Sequence, residues 1–181
     1  MKEFIEAEAA TLHALHQQVH ASVAARDKSE TGMRAWAKAV RAFHSYESGM
    51  ESLVNRSCSP DLLHYTDVSE FALCFLEVDP MFFRSGFIKQ EILRRIDRAP
   101  LDDAQMERLQ AVILDAVKNR GTREYRCYCR VAARLKMPEL AAKVQTLCSS
   151  DTPAVRSRAV LMMAYLSPEL NDETVKAACR R

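Results

Sequence analysis

The chain has 181 residues, of which 48% are apolar and 28% charged, and its formal net charge is +2. This length suits one domain, and the apolar fraction argues against a largely disordered chain. The sequence contains no run of about 18 apolar residues that could cross a membrane, and its N-terminal MKEFIEAEAA carries glutamates where a secretory signal carries basic and apolar stretches. We therefore expect a cytoplasmic protein without a membrane partner.

Apolar residues recur with helical spacing along the chain, and neither alternating strand patterns nor Asn-Gly or Asp-Gly hairpin turns occur. This pattern predicts a single all-α domain over residues 1–181, with N-terminal helices in 1–79 and helix pairs in 80–181. The predicted helices span residues 2–26, 31–56, 66–78, 80–98, 102–119, 122–136, 138–149, 153–166 and 168–180. Three of them are expected to start at a capping residue followed by proline, namely Asp79-Pro80, Thr152-Pro153 and Ser167-Pro168.

The first helix carries three histidines on one face. His13, His16 and His20 are spaced so that their imidazoles point in similar directions. Three imidazoles can bind zinc, although a row of histidines that flanks an apolar face needs no metal. We expect no metal or other cofactor, and we keep a metal site as an alternative.

The second predicted helix, 31–56, has an apolar stripe that includes the only tryptophan, Trp36. Such a stripe predicts a long helix that docks along its length. Glu47 falls within this stripe, between Phe43 and Met50. Burial would raise the pKa of its carboxyl group, as in a general acid or base, unless Glu47 pairs with a cation or the stripe leaves the core before it.

The next two helices differ in pattern. Helix 66–78 is apolar almost all round, which predicts a central position. Helix 80–98 is apolar on two sides, and Phe83 and Phe87 lie one turn apart beside Arg84 and Arg94. Such a helix either packs between two neighbours or presents Phe83 and Phe87 as an exposed aromatic anchor with an arginine rim.

Charge is unevenly distributed along the chain. Residues 84–181 contain 19 Lys and Arg against 12 Asp and Glu, whereas residues 1–83 contain 7 against 12. In the basic part, four arginines follow one face of helix 122–136, and we call them the arginine face: Arg123, Arg126, Arg130 and Arg134. Tyr125, Tyr128, Ala132 and Leu135 take the opposite, buried side. The arginine face is either a solvated helix surface, a docking site for a protein partner such as an acidic one, or a phosphate-binding ridge for nucleic acid.

Residues 139–166 resemble one HEAT-type helical repeat. The resemblance is carried by Asp151-x-Pro153-x-Val155-Arg156-x-x-Ala159, which matches the turn and second-helix start of such repeats. It implies a HEAT-like solenoid toward the C-terminus, with a face that binds a macromolecule. It also implies that 138–149 pairs with 153–166. Helix lengths and short links alone favour a different pairing, of 80–98 with 102–119, 122–136 with 138–149, and 153–166 with 168–180.

Six cysteines lack CxxC spacing and are expected to be reduced and buried: Cys58, Cys74, Cys127, Cys129, Cys148 and Cys179. The four glycines form no nucleotide-binding loop, which argues against a nucleotide-driven enzyme. The sequence thus favours a non-enzymatic protein-binding scaffold or adaptor that uses the arginine face, with Phe83 and Phe87 as further partner-binding residues. A nucleic-acid-binding module is the first alternative, and a metal-binding protein or enzyme is the second.

Overall fold

A computed structural model describes residues 1–135 and 138–167. These residues form nine α-helices and two short 3-10 helices and no strand, which confirms the all-α prediction. The α-helices are α1 (Lys2–Arg26), α2 (Glu30–His44), α3 (Glu51–Ser57), α4 (Thr66–Val78), α5 (Ser85–Leu93), α6 (Asp103–Asn119), α7 (Tyr125–Leu135), α8 (Pro138–Leu147) and α9 (Pro153–Leu166), and the 3-10 helices are Pro60–Leu63 and Ile96–Arg98. The predicted helix 168–180, with its start at Ser167-Pro168, lies outside the described residues.

From α4 onward the helices form pairs that stack in two rows. Helix α4 packs on α5, α6 on α7, and α8 on α9. One row consists of α4, α6 and α8, and the other of α5, α7 and α9. The pairing of 138–149 with 153–166 is therefore confirmed. The pairing of 80–98 with 102–119 and of 122–136 with 138–149 is wrong, because after α5 and after α7 the chain crosses from the second row back to the first.

Helix α4 is the centre of the core, as its apolar composition predicts. Its neighbours are α1, α3, α5 and α6. Its buried apolar side chains are Val68, Phe71, Ala72, Leu73, Cys74, Phe75 and Leu76. Each large side chain among them contributes about 1.5 to 3 kcal/mol by leaving water. This core fixes the position of α5 and, through α6, of α7.

The predicted helix 31–56 is wrong, because the chain leaves the helix after His44 and resumes it at Glu51. The carboxylate of Glu8 on α1 accepts hydrogen bonds from Ser48 Oγ at 2.6 Å, from the Gly49 backbone N–H at 3.0 Å and from Tyr46 Oη at 3.2 Å. These bonds hold the connecting segment against α1. Glu47 lies in this segment and is exposed, so the desolvation expected for it does not occur.

Helix α2 packs against α1, and in the described part of the chain it has no other extensive helix contact. Gly32 makes the close approach possible, since a Cβ atom at this position would lie 1.9 Å from the backbone oxygen of Ala25. The predicted helix therefore docks along α1 over Glu30–His44, and not as one long helix over 31–56. Helices α1 and α2 form a hairpin whose open end, with the buried Ile5, packs on the core, and whose turn end, at residues 27–29, is exposed.

Asp79-Pro80 ends a helix instead of starting one. Asp79 has a φ of 51° and closes α4, and α5 begins only at Ser85, after a turn in which Arg84 has a φ of 71°. Both are left-handed conformations that cost free energy for residues with a Cβ atom. Thr152-Pro153, by contrast, starts α9 as predicted. Among residues 1–135 and 138–167, no helix has both the length and the apolar composition needed to cross a bilayer.

Candidate partner-binding face

Helix α7 separates a buried face from a charged one, as its sequence predicts. Tyr125, Tyr128 and Ala132 are buried, and Tyr125 Oη donates a hydrogen bond to the Arg158 backbone oxygen of α9 at 2.7 Å. Burial raises the pKa of both tyrosines well above the ordinary value. The four residues of the arginine face are all exposed, but only Arg126, Arg130 and Arg134 lie on α7, because the helix begins at Tyr125 and Arg123 lies in the turn before it.

The four arginines have different surroundings. The guanidinium of Arg123 lies over the Phe87 ring, 4.2 Å from its centroid. Arg134 pairs with Asp97, whose side chain is only 3% exposed. Arg126 and Arg130 make no ion pair with any residue that the structure describes. Among the described residues only Arg134 has a carboxylate partner, so the charges of Arg123, Arg126 and Arg130 are not neutralised by an ion pair.

Phe83 and Phe87 are 51% and 47% exposed. This exposure fits the aromatic-anchor interpretation of helix 80–98 better than the packed-helix interpretation. Phe83 is held from one side, since its ring centroid lies 4.9 Å from that of His16 and 5.9 Å from that of Phe43. The hairpin thus supports Phe83, and the Arg123–Phe87 contact joins the aromatic pair to the arginine face.

Two clefts flank this contact. The first, which we call the aromatic cleft, lies between α3 and α5, has a volume of about 370 Å³, and is lined by Val54, Asn55, Cys58, Phe83, Arg84, Phe87, Ile88 and Glu91. The second, which we call the arginine cleft, lies between α7 and the end of α5, has a volume of about 320 Å³, and is lined by Leu93, Arg94, Asp97, Arg98, Cys127, Arg130 and Arg134. The arginine face therefore links an apolar depression to a cationic one.

A buried ion-pair network holds α5 and α7 in register. Lys89 is 1% exposed, and its Nζ lies 2.6 Å from Asp79 Oδ1 and 4.0 Å from Glu124 Oε1. Arg120 contacts the other oxygen of Asp79 at 3.2 Å and donates to Tyr128 Oη. The sequence pattern does not predict this network, in which the buried Glu124 takes part. The available signal was Lys89, a charged residue within the apolar pattern of its helix.

The three histidines of α1 are not brought together as one group of ligands in the described structure. His16 Nε2 and His20 Nε2 lie 3.3 Å apart, and the described residues contain no group of three His, Cys, Asp or Glu side chains that could hold a metal ion. Partial burial and the neighbouring His20 and His13 lower the pKa of His16 below its usual value. His16 instead packs against Phe83, so its role in this structure is to support the aromatic pair.

The described cysteines are free thiols. Cys74, Cys127 and Cys129 are buried, as expected, and Cys58 and Cys148 are partly buried. Burial raises the pKa of Cys129 to about 12 and that of Cys58 to about 11. Thiols with such pKa values are protonated at neutral pH and are poor nucleophiles. Cys179 lies outside the described residues.

No protein-family model matches the sequence, and the searches of curated proteins and of solved structures find no match.

Proposed function

We propose that this chain is a non-enzymatic protein-binding scaffold or adaptor, built as a HEAT-like stack, whose arginine face docks an acidic partner. The observation that carries the proposal is the stacking of Arg123 on Phe87, which makes one continuous surface from the exposed aromatic pair and the exposed arginines. Aromatic residues and arginines are the types most enriched at the energetic centres of protein interfaces.

The charges of this surface indicate the kind of partner. Arg126 and Arg130 have no carboxylate partner among the described residues, so their charges can steer an acidic surface toward α7. The aromatic cleft lies beside them and offers about 370 Å³ to an apolar side chain. We expect the docking segment of the partner to combine carboxylates with one bulky apolar residue.

Affinity capture with matched variants tests the proposal. The wild-type chain should retain one polypeptide in stoichiometric amount after nuclease treatment, and the complex should re-form from the two purified proteins. Arg126→Glu with Arg130→Glu should abolish it, and Phe87→Ala should weaken it by about 30-fold, which corresponds to about 2 kcal/mol. Lys38→Glu is the control, since Lys38 is exposed on α2, away from α7. Equal binding by all four proteins would contradict the proposal.

The nucleic-acid alternative has one specific observation in its favour. Arg126 and Arg130 on α7, and Arg123 in the turn before it, are all exposed, so they could contact successive phosphates. This alternative predicts that the captured material is lost on nuclease treatment. It also predicts that affinity for a generic oligonucleotide falls steeply as salt increases, with a smaller slope in the Arg126→Glu variant.

A further inference from the structure

The arginine cleft brings together cations from two separate elements. Arg94 and Arg98 come from the end of α5 and the 3-10 helix that follows it, and Arg130 and Arg134 come from α7. The four side chains line one depression of about 320 Å³, which is within the range of small-ligand sites. Because like charges repel, this convergence costs free energy unless an anion occupies the cleft.

The charge balance of the cleft indicates the charge of that anion. Arg94 pairs with Glu91, and Arg134 pairs with Asp97. Arg98 and Arg130 have no ion-pair partner in the described ranges 1–135 and 138–167. Arg98 and Arg130 are therefore left without a carboxylate, and Glu91 is shared between Arg94 and Arg95, so the excess is at least two positive charges, which a dianion would match.

We infer that the arginine cleft binds a phosphate monoester dianion. The guanidinium group presents its donors as a planar fork that matches two oxygens of a phosphate, and a monoester carries nearly two charges at neutral pH. Arg98, from the 3-10 helix, and Arg130, from α7, both line the cleft and could bind such a group together. A carboxylate carries one charge, and a phosphodiester also carries one, so both leave a cation without compensation.

Asp97 positions one wall of this site. One of its carboxylate oxygens pairs with Arg134, and the other, Oδ1, is buried and has no hydrogen-bond donor among the described residues. Asp97 fixes the orientation of Arg134 in this way.

This inference rests on the proposed function, because the phosphate site and the arginine face share Arg130 and Arg134. The phosphate site and the arginine face also each contain an arginine that is absent from the other. Arg98 lines the cleft and is not part of the arginine face, whereas Arg126 belongs to the arginine face and does not line the cleft. Both are exposed. Variants at these two positions therefore separate failure of the phosphate site from failure of the protein-binding face.

The test is calorimetric titration of the full chain with phenyl phosphate at pH 8 and low salt. We expect a Kd in the millimolar range or below and at least ten-fold weaker binding of diphenyl phosphate, which carries a single charge. Arg98→Gln should weaken phenyl phosphate binding by roughly ten-fold or more, because a charge-assisted hydrogen bond is lost. Arg126→Gln should change it by less than about two-fold, and unaltered melting of both variants shows that they are folded.

Three results would overturn the inference: no binding of phenyl phosphate, equally tight binding of the diester, or equal losses of affinity in Arg98→Gln and Arg126→Gln.

A second titration distinguishes a phosphorylated protein from a small phosphorylated molecule as the source of the ester. It compares a phosphoserine peptide with free O-phosphoserine. Tighter binding of the peptide indicates a phosphorylated protein partner, and equal binding indicates a small phosphorylated molecule. Both results support the site.

Discussion

The buried ammonium group of Lys89 gives the sharpest stability prediction. Lys89→Met keeps most of the side-chain volume and removes the charge that lies 2.6 Å from Asp79 and 4.0 Å from Glu124. Glu124, which is almost fully buried, then has no cation within ion-pair distance among the described residues. Removing one partner of a buried pair costs about 3 to 5 kcal/mol. We expect about 3 kcal/mol, because Asp79 is 24% exposed and keeps its contact with Arg120.

Urea unfolding followed by circular dichroism measures this loss. With a slope of about 2 kcal/mol/M, the midpoint of Lys89→Met should fall by about 1.5 M without a change in slope. Lys38→Met is the matched control, because Lys38 is exposed on α2, and its effect should stay within about 0.5 kcal/mol. Adding Glu124→Gln to Lys89→Met should recover about 1 kcal/mol, since the buried carboxylate that lost its partner is then neutral. An unchanged midpoint in Lys89→Met, or no recovery in the double variant, would refute the reasoning.

Three further predictions concern the hairpin and the thiols. The pKa of His16 is lowered in the folded chain, so the unfolded chain binds more protons just below pH 6.5. The melting temperature should therefore fall as pH drops through this window. In the His16→Gln variant the dependence of melting temperature on pH should be weaker. Gly32→Ala places a Cβ atom 1.9 Å from Ala25 O and should lower the free energy of unfolding, measured in urea, by about 1 to 3 kcal/mol. Gly49→Ala is the control and should lower it less, because its Cβ atom would have ordinary contacts of 3.4 Å. Equal losses in the two variants would contradict the hairpin packing. Cys129 should react with a thiol reagent at pH 8 only as fast as the chain opens, so labelling followed by mass spectrometry should find it unmodified in the native protein and modified in urea.

The clefts depend on interruptions of the predicted helices, which the spacing of apolar residues does not reveal. The sequence places Phe83 on a continuous helix 80–98. In the structure it lies in the turn before α5, because Asp79 adopts a left-handed conformation that lets its carboxylate reach Lys89 and Arg120. Glu8 breaks the second predicted helix in a comparable way, by accepting three hydrogen bonds from residues 46–49. Both breaks depend on partners distant in sequence.

The sequence by itself determined the helical class, the central place of α4 and the separation of α7 into a buried tyrosine face and an exposed arginine face, because apolar spacing along one helix fixes which side leaves water. Only the tertiary structure decided which helices pair, that Arg123 stacks on Phe87, and that Arg98 joins Arg130 across one cleft. The physical reason is that these features join residues from different helices. Their distances depend on the turn at Asp79 and on the buried pair with Lys89, neither of which a local pattern encodes.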